Sequence, residues 1–144
     1  MRRSERPKRL LWAEDSKAIQ TVMTCLLKKL QFEAGTGSFE FEFVDDGLAL
    51  LQTVKCSATP VDLIFSDEHM PFLSGTEAMK VMSLMFKSGD VPWKQCPVVA
   101  VIGDSSEEAQ RQWLAAGAHA VLNKPTPLKR LRQILSAHGV IPGG

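Results

Sequence analysis

Apolar positions along this chain alternate between two periods. Short runs of consecutive apolar residues give way to stretches in which they return every three or four positions, and the pair repeats along the chain. Leu10 to Ala13 is the first run. Ile19, Val22, Met23, Leu26, Leu27 and Leu30 then share one helix face, with Asp15 or Ser16 as the cap. Phe39 to Val44 alternates Phe and Glu, the pattern of a strand with one wetter face at a sheet edge. Asp45-Asp46-Gly47 reads as a turn and cap, and Leu48, Leu51 and Val54 mark a second helix.

Val61 to Phe65 predicts a central third strand, with Asp62 structural at its start, and Ser66 to Gly75 a loop. Ala78, Val81, Met82, Met85 and Phe86 line a third helix, whose methionines read as core filler. Pro97 to Ile102 is a nearly pure apolar run, as in a strand covered on both faces. Ser105-Ser106-Glu107-Glu108 fits a capping box opening a fourth helix, which Ala116-Gly117 ends. Ala118 to Leu122 is a fifth strand, and Leu128, Leu131, Ile134 and Leu135 give a fifth helix. The reading divides the chain into a basic lead-in (1–8), one folded unit (9–138) and a frayed tail (139–144).

Five strand–helix units predict an α/β fold, a five-stranded parallel sheet with helices on both faces. Right-handed crossovers make it doubly wound. Sites in such folds lie at the carboxyl ends of the strands, near the switch in strand order, so functional residues are sought just after each strand.

Composition adds exclusions. The chain has 144 residues, enough for one domain, with 44% hydrophobic and 23% charged residues. A formal net charge of +1 argues against a protein that grips nucleic acid phosphates. No apolar run reaches the roughly 20 residues that span a bilayer, and Leu10 to Ala13 is too short for a signal peptide core. The basic segment Met1 to Arg9 reads as a solvated lead-in, with a nuclear address or an acidic partner as the sharper alternative. Cys25, Cys56 and Cys96 have neither disulfide nor metal spacing, which suits a reducing, cytoplasmic location. His119 and His138 lack partners at ligand spacing.

Glu14 and Asp15 follow the first strand, Asp67 the third, and Lys124-Pro125 the fifth. Three carboxylates on one sheet edge repel one another unless a cation sits among them. Mg²⁺ favours a few carboxylates with waters and phosphate oxygens, and a lysine serves as a point charge for a carboxylate or phosphoryl oxygen. An aspartate so placed can attack phosphorus and form an acyl phosphate.

With Val61 to Asp67, Met70-Pro71, Gly75, Pro97 to Ala100 and Ala116-Gly117-Ala118 in this order, the sequence resembles the receiver domains of response regulators and hybrid histidine kinases from about Lys8 to Ala137. The resemblance implies a flavodoxin-like strand order 2-1-3-4-5. It implies Asp67 as phospho-acceptor, Glu14 and Asp15 as the acidic pair for Mg²⁺, Lys124 as the phosphoryl-contacting lysine, and the His69 backbone carbonyl as a metal ligand. It implies a cis Lys124-Pro125 bond. As partners it implies a histidine kinase or histidine phosphotransfer protein and a downstream protein, with no nucleic acid and no membrane contact. It implies no enzyme beyond self-promoted phosphorylation and dephosphorylation.

The pattern is broken at two positions. Ile102 stands where the family has Thr or Ser and cannot donate a hydrogen bond to a phosphoryl oxygen. Val121 stands where the family has Tyr or Phe. Ser105 or Ser106 is out of register to replace the hydroxyl. The side chains of His69 and Asp104 would border the path of attacking water and tune phosphate lifetime. Two other readings compete: a degenerate receiver that binds proteins without phosphorylation, and an aspartyl phosphatase, disfavoured because His69 stands where such enzymes place a second acid. A stand-alone receiver and a piece of a hybrid kinase both fit the sequence.

Overall fold

The computed structural model describes residues 6–35, 37–103 and 106–143. Its elements run β1 (Lys8–Ala13), α1 (Lys17–Ala34), β2 (Phe39–Val44), α2 (Gly47–Cys56), β3 (Leu63–Asp67), α3 (Gly75–Ser88), β4 (Val98–Ile102), α4 (Glu107–Ala115), β5 (Ala120–Asn123) and α5 (Leu128–Ala137). The strands pair in parallel in the order β2-β1-β3-β4-β5. This is the doubly wound sheet that the strand–helix alternation predicts, in the flavodoxin-like order that the resemblance implies.

Period-2 alternation sorts each strand between two cores. Leu10, Trp12, Leu63, Phe65, Val99 and Val101 face α1 and α5, where they meet Met23, Leu27, Leu131 and Leu135. Leu11, Ala13, Ile64, Val98, Ala100 and Ile102 face α2, α3 and α4, against Leu50, Val54, Met79, Met82 and Trp113. The central strands are apolar on both faces because helices cover both. Trp12 stacks on Phe65 with ring centroids 4.3 Å apart, tying neighbouring strands.

Several boundaries differ from the sequence reading, each for a local reason. β1 begins at Lys8 rather than Leu10: Asp62 accepts from the Arg9 backbone N–H (2.8 Å) and pairs with Arg6 (3.1 Å), drawing part of the basic lead-in onto the sheet. Residues 1–5 lie outside the described part. The N-cap of α4 is Ser106, whose hydroxyl accepts from Ala109 N–H, so Glu108 is not at the N3 position that a capping box requires. Ser105 lies outside the described residues. A capping box opens α3 instead, Ser74 with Glu77.

The tail is not frayed where it leaves α5. Gly139, at φ +71°, donates to Ser136, and Val140 donates to Leu135, the paired bonds of a Schellman motif. That turn folds Val140 and Ile141 back into the α1/α5 core, where both are buried. Trp93, in the connection between α3 and β4, is half-buried on Phe86 and donates to the Ser57 carbonyl.

Candidate functional site

The strand order reverses between β1 and β3, and their carboxyl ends carry the site. Glu14 directly follows β1, its N–H bonded to the Val44 carbonyl at 2.9 Å so that it continues the ladder with β2. Asp67 is the last residue of β3, opposite Val101 of β4. Lys124 follows β5, its N–H bonded to Ile102 O at 2.8 Å. Sheet pairing, rather than loop packing, therefore sets the spacing of these side chains.

Carboxylate oxygens of Glu14, Asp15 and Asp67 lie within 4.8 Å of one another. Glu14 and Asp67 are buried, and Asp15 is exposed. Lys124 Nζ sits between the buried pair, 2.9 Å from Asp67 Oδ2 and 3.1 Å from Glu14 Oε1. The peptide bond from Lys124 to Pro125 is cis. Burial pushes the Glu14 carboxyl above its ordinary value, against the Ser16 N–H and Lys124, which pull it down. Burial works against the Lys124 charge, and the bonds to Asp67 and Glu14 outweigh it, so the ammonium is held above its ordinary value.

The arrangement fits a hard divalent cation. Glu14 Oε1 is buried and faces only the Lys124 ammonium among the described residues, at 3.1 Å, while its Oε2 accepts from the Ser16 N–H. Oxygen donors of mixed exposure, with one side open, match what Mg²⁺ takes from a protein. Asp67 Oδ2 is paired with the Lys124 ammonium, a mobile point charge suited to a carboxylate or another anionic oxygen.

Behind Asp67 the fit is tight. Ser66 Oγ donates to the Asp67 carbonyl (2.9 Å), and Asp67 Oδ1 accepts from Glu68 N–H (2.8 Å). A Cβ on Gly75 would strike the Asp67 carbonyl and come within 2.5 Å of the Trp113 ring. Glu68 turns back to α3: its Oε1 accepts from Thr76 N–H (2.9 Å), its Oε2 from the Thr76 hydroxyl (3.0 Å). Glu68, Gly75 and Trp113 thus shape the site, although no motif of catalysis marks Glu68 or Trp113 in the sequence.

The remaining sequence-singled residues fall as follows. Ile102 ends β4, 2% exposed, and its side chain belongs to the α2–α4 core. Val121 is half-buried in β5 opposite Ala100, packed on the same core. His69 is exposed and shares a small cavity of about 120 Å³ with Glu68, Ile102, Gly103 and Trp113. Asp104 lies outside the described residues. His119 and His138 stack edge to face, 6.3 Å between centroids, away from the acidic cluster.

Comparison with known proteins gives a consistent picture. A family model, response regulator receiver domain, matches residues 10–136. The two-component response regulator ORR41 of Oryza sativa subsp. japonica is 30% identical over 128 residues, covering 89% of this chain and 91% of that protein. The autoinducer 2 sensor kinase/phosphatase LuxQ of Vibrio vulnificus is 28% identical over 127 residues, which is 88% of this chain but 13% of LuxQ. The chain therefore spans a small part of the sensor kinases it matches. Among solved structures, the receiver domain of Ssk1, crystallised with the histidine phosphotransfer protein Ypd1 of Saccharomyces cerevisiae, has a TM-score of 0.77 at 24% identity, covering 92% of this chain and 89% of that one. The receiver domain of a sensor histidine kinase from Pseudomonas aeruginosa, with magnesium in its active-site cleft, has a TM-score of 0.73 at 22% identity, covering 92% and 98%. The strand order, the three carboxylates with their lysine and the family match together establish that this chain belongs to the response regulator receiver domains of two-component signalling.

Proposed function

We propose that the domain takes a phosphoryl group from a phosphohistidine onto Asp67. The observation that carries this reading is Lys124 Nζ bridging Asp67 at 2.9 Å and Glu14 at 3.1 Å inside a cluster of three carboxylates. Asp67 Oδ attacks phosphorus, the P–N bond breaks, and the imidazole leaves with the electron pair. Lys124 is placed to move its attraction from the carboxylate to a phosphoryl oxygen as charge shifts outward. Water later attacks the acyl phosphate, returning the carboxylate and inorganic phosphate. Mg²⁺, held by Glu14, Asp15, Asp67 and the His69 carbonyl, would neutralise charge as the phosphoryl group arrives. The domain acts on its own acceptor only and is no enzyme toward a separate substrate.

The donor is a histidine kinase or histidine phosphotransfer protein, as in the co-crystallised Ssk1 receiver. The output is a downstream protein rather than nucleic acid. Among the described residues no helix is long and apolar enough to cross a membrane. The three free cysteines support an intracellular location. One observation favours the second reading, a degenerate receiver that binds proteins without phosphorylation: the Ile102 side chain packs in the α2–α4 core and offers no hydrogen-bond donor.

Intact-mass spectrometry after incubation with acetyl phosphate and Mg²⁺ separates the two. One phosphoryl adduct in the wild type, absent in Asp67→Asn and with EDTA, is expected. A wild type that stays unmodified and binds no Mg²⁺ would sink the phosphorelay reading.

A further inference from the structure

The loop between β3 and α3 begins and ends at the acceptor. Gly75 N–H bonds the Glu68 carbonyl at 2.9 Å, Thr76 bonds the Glu68 carboxylate, and Gly75 lies against the Asp67 carbonyl. Residues 68–75 thus form a closed surface loop rooted beside Asp67. Its side chains divide sharply. Met70 and Leu73 pack against the α2–α4 core, and Leu73 presses on Gly47, where a Cβ would come within 2.5 Å of its carbonyl oxygen. Phe72, between them, is 79% exposed.

Phe72 is also the one non-glycine residue with positive φ, +72°, among those described. Leu73 N–H bonds the Pro71 carbonyl at 2.8 Å across it. This is a three-residue γ-turn in its strained, positive-φ form, which a residue with a Cβ adopts only when its surroundings enforce it. Here the inward anchors Met70 and Leu73 and the loop closure enforce it, and the ring is turned outward. Neither its backbone nor its burial explains a phenylalanine at this point. Asn or Gly would relieve the strain, and a polar side chain would suit the exposure.

Leu73 leans on the start of α2, which follows the carboxyl end of β2. Phe72 therefore stands on the same face as Glu14 and Asp67. Leu48, next in sequence to Gly47, is also exposed, at 46%. A small phosphodonor can reach Asp67 without meeting this loop. A protein donor must seat its phosphohistidine within bonding distance of Asp67 and so covers the loop rooted there.

We propose that Phe72 is a docking and specificity residue for the protein phosphodonor, meeting an apolar patch beside its phosphohistidine. The proposal rests on the phosphorelay reading above. The test compares Phe72→Asn, which tolerates positive φ, and Phe72→Leu with the wild type, using two donors: acetyl phosphate and radiolabelled phospho-Ypd1. The expected result is equal labelling of all three by acetyl phosphate. Transfer from phospho-Ypd1 is at least about tenfold slower to Phe72→Asn, and largely kept in Phe72→Leu. The Asn variant should melt no lower than the wild type, since the ring packs on little and the strain is reduced. Equal transfer from phospho-Ypd1 to Phe72→Asn and wild type overturns the proposal. So does a wild type that acetyl phosphate labels and phospho-Ypd1 does not. Failure of acetyl phosphate to label the wild type removes the underlying phosphorelay reading instead.

Discussion

At the scale of single residues, Asp67 is held by contacts that leave no slack. Gly75 is the clearest case: a methyl group there meets the Asp67 carbonyl on one side and the Trp113 ring on the other. Backbone on one side and a core indole on the other cannot both retreat. Gly75→Ala is expected to lower stability by about 3 kcal/mol, measured as the shift in urea midpoint. Its acetyl phosphate labelling should also fall, since the Asp67 peptide must move to make room; unchanged stability would show that the packing is looser than the contacts indicate. The acidic cluster and Lys124 were legible in the sequence, because each stands at or just past the carboxyl end of a strand and a parallel sheet gathers strand ends. Glu68 and Trp113 were not. A glutamate that bonds the start of α3 eight residues on, and a tryptophan from α4 closing the space behind Asp67, are tertiary relations with no local period. The Ile102 side chain has its place in the α2–α4 core, which the apolar run Pro97 to Ile102 already indicated.

At the scale of elements, turn chemistry decided what periodicity left uncertain. Val140 and Ile141 stand before Pro142-Gly143-Gly144, a context that reads as tail. The Schellman turn at Gly139 reverses the chain, so the apolar pair covers α1 and α5. Chain shortening after Gly139 is expected to cost about 3 kcal/mol, from exposing the surfaces these two side chains cover. In a domain of this size that is a fall of about 10 °C in Tm. A truncated protein melting with the full chain would mean that the turn contributes nothing to the core. The same kind of signal was present at the start of α3: Ser74-Thr76-Glu77 carries the serine and glutamate of a capping box, and the structure forms it. At α4 the spacing of Ser105 and Glu108 fitted a capping box, whereas the helix takes Ser106 as its cap and so puts Ala109 at N3.

At the scale of the whole molecule, the two cores divide the thiols. Cys25 and Cys56 are exposed on α1 and α2, whereas Cys96 is buried ahead of β4, and burial pushes its thiol up to about 12. The thiolate is the reactive form. Cys25 and Cys56 are therefore expected to react with a disulfide reagent within minutes at about pH 8. Cys96 should react only as the domain opens, at a rate that denaturant accelerates. Three equally fast thiols would mean that the α2–α4 core opens locally. A second global property is pH-dependent. Burial, with repulsion from His119, holds His138 below its ordinary value of 6.5. The unfolded chain then binds more protons than the folded one just below pH 6.5, so the stability due to a neutral His138 is complete above that pH and is lost on acidification. Replacing His138 with Gln should flatten that part of the stability–pH curve.

Taken together, hydrophobic periodicity by itself determined the five strand–helix units, hence a doubly wound sheet, hence the edge where the carboxylates and lysine gather. These follow from local chain geometry and the handedness of crossovers, which every residue reports. Tertiary structure alone decided how the site is closed: the Lys124 bridge between Asp67 and Glu14, the wall of Gly75 and Trp113, the returned tail, and the outward Phe72 on its γ-turn. Each depends on two segments distant in the chain, or on a backbone angle that packing imposes against local preference, and neither leaves a period in the sequence.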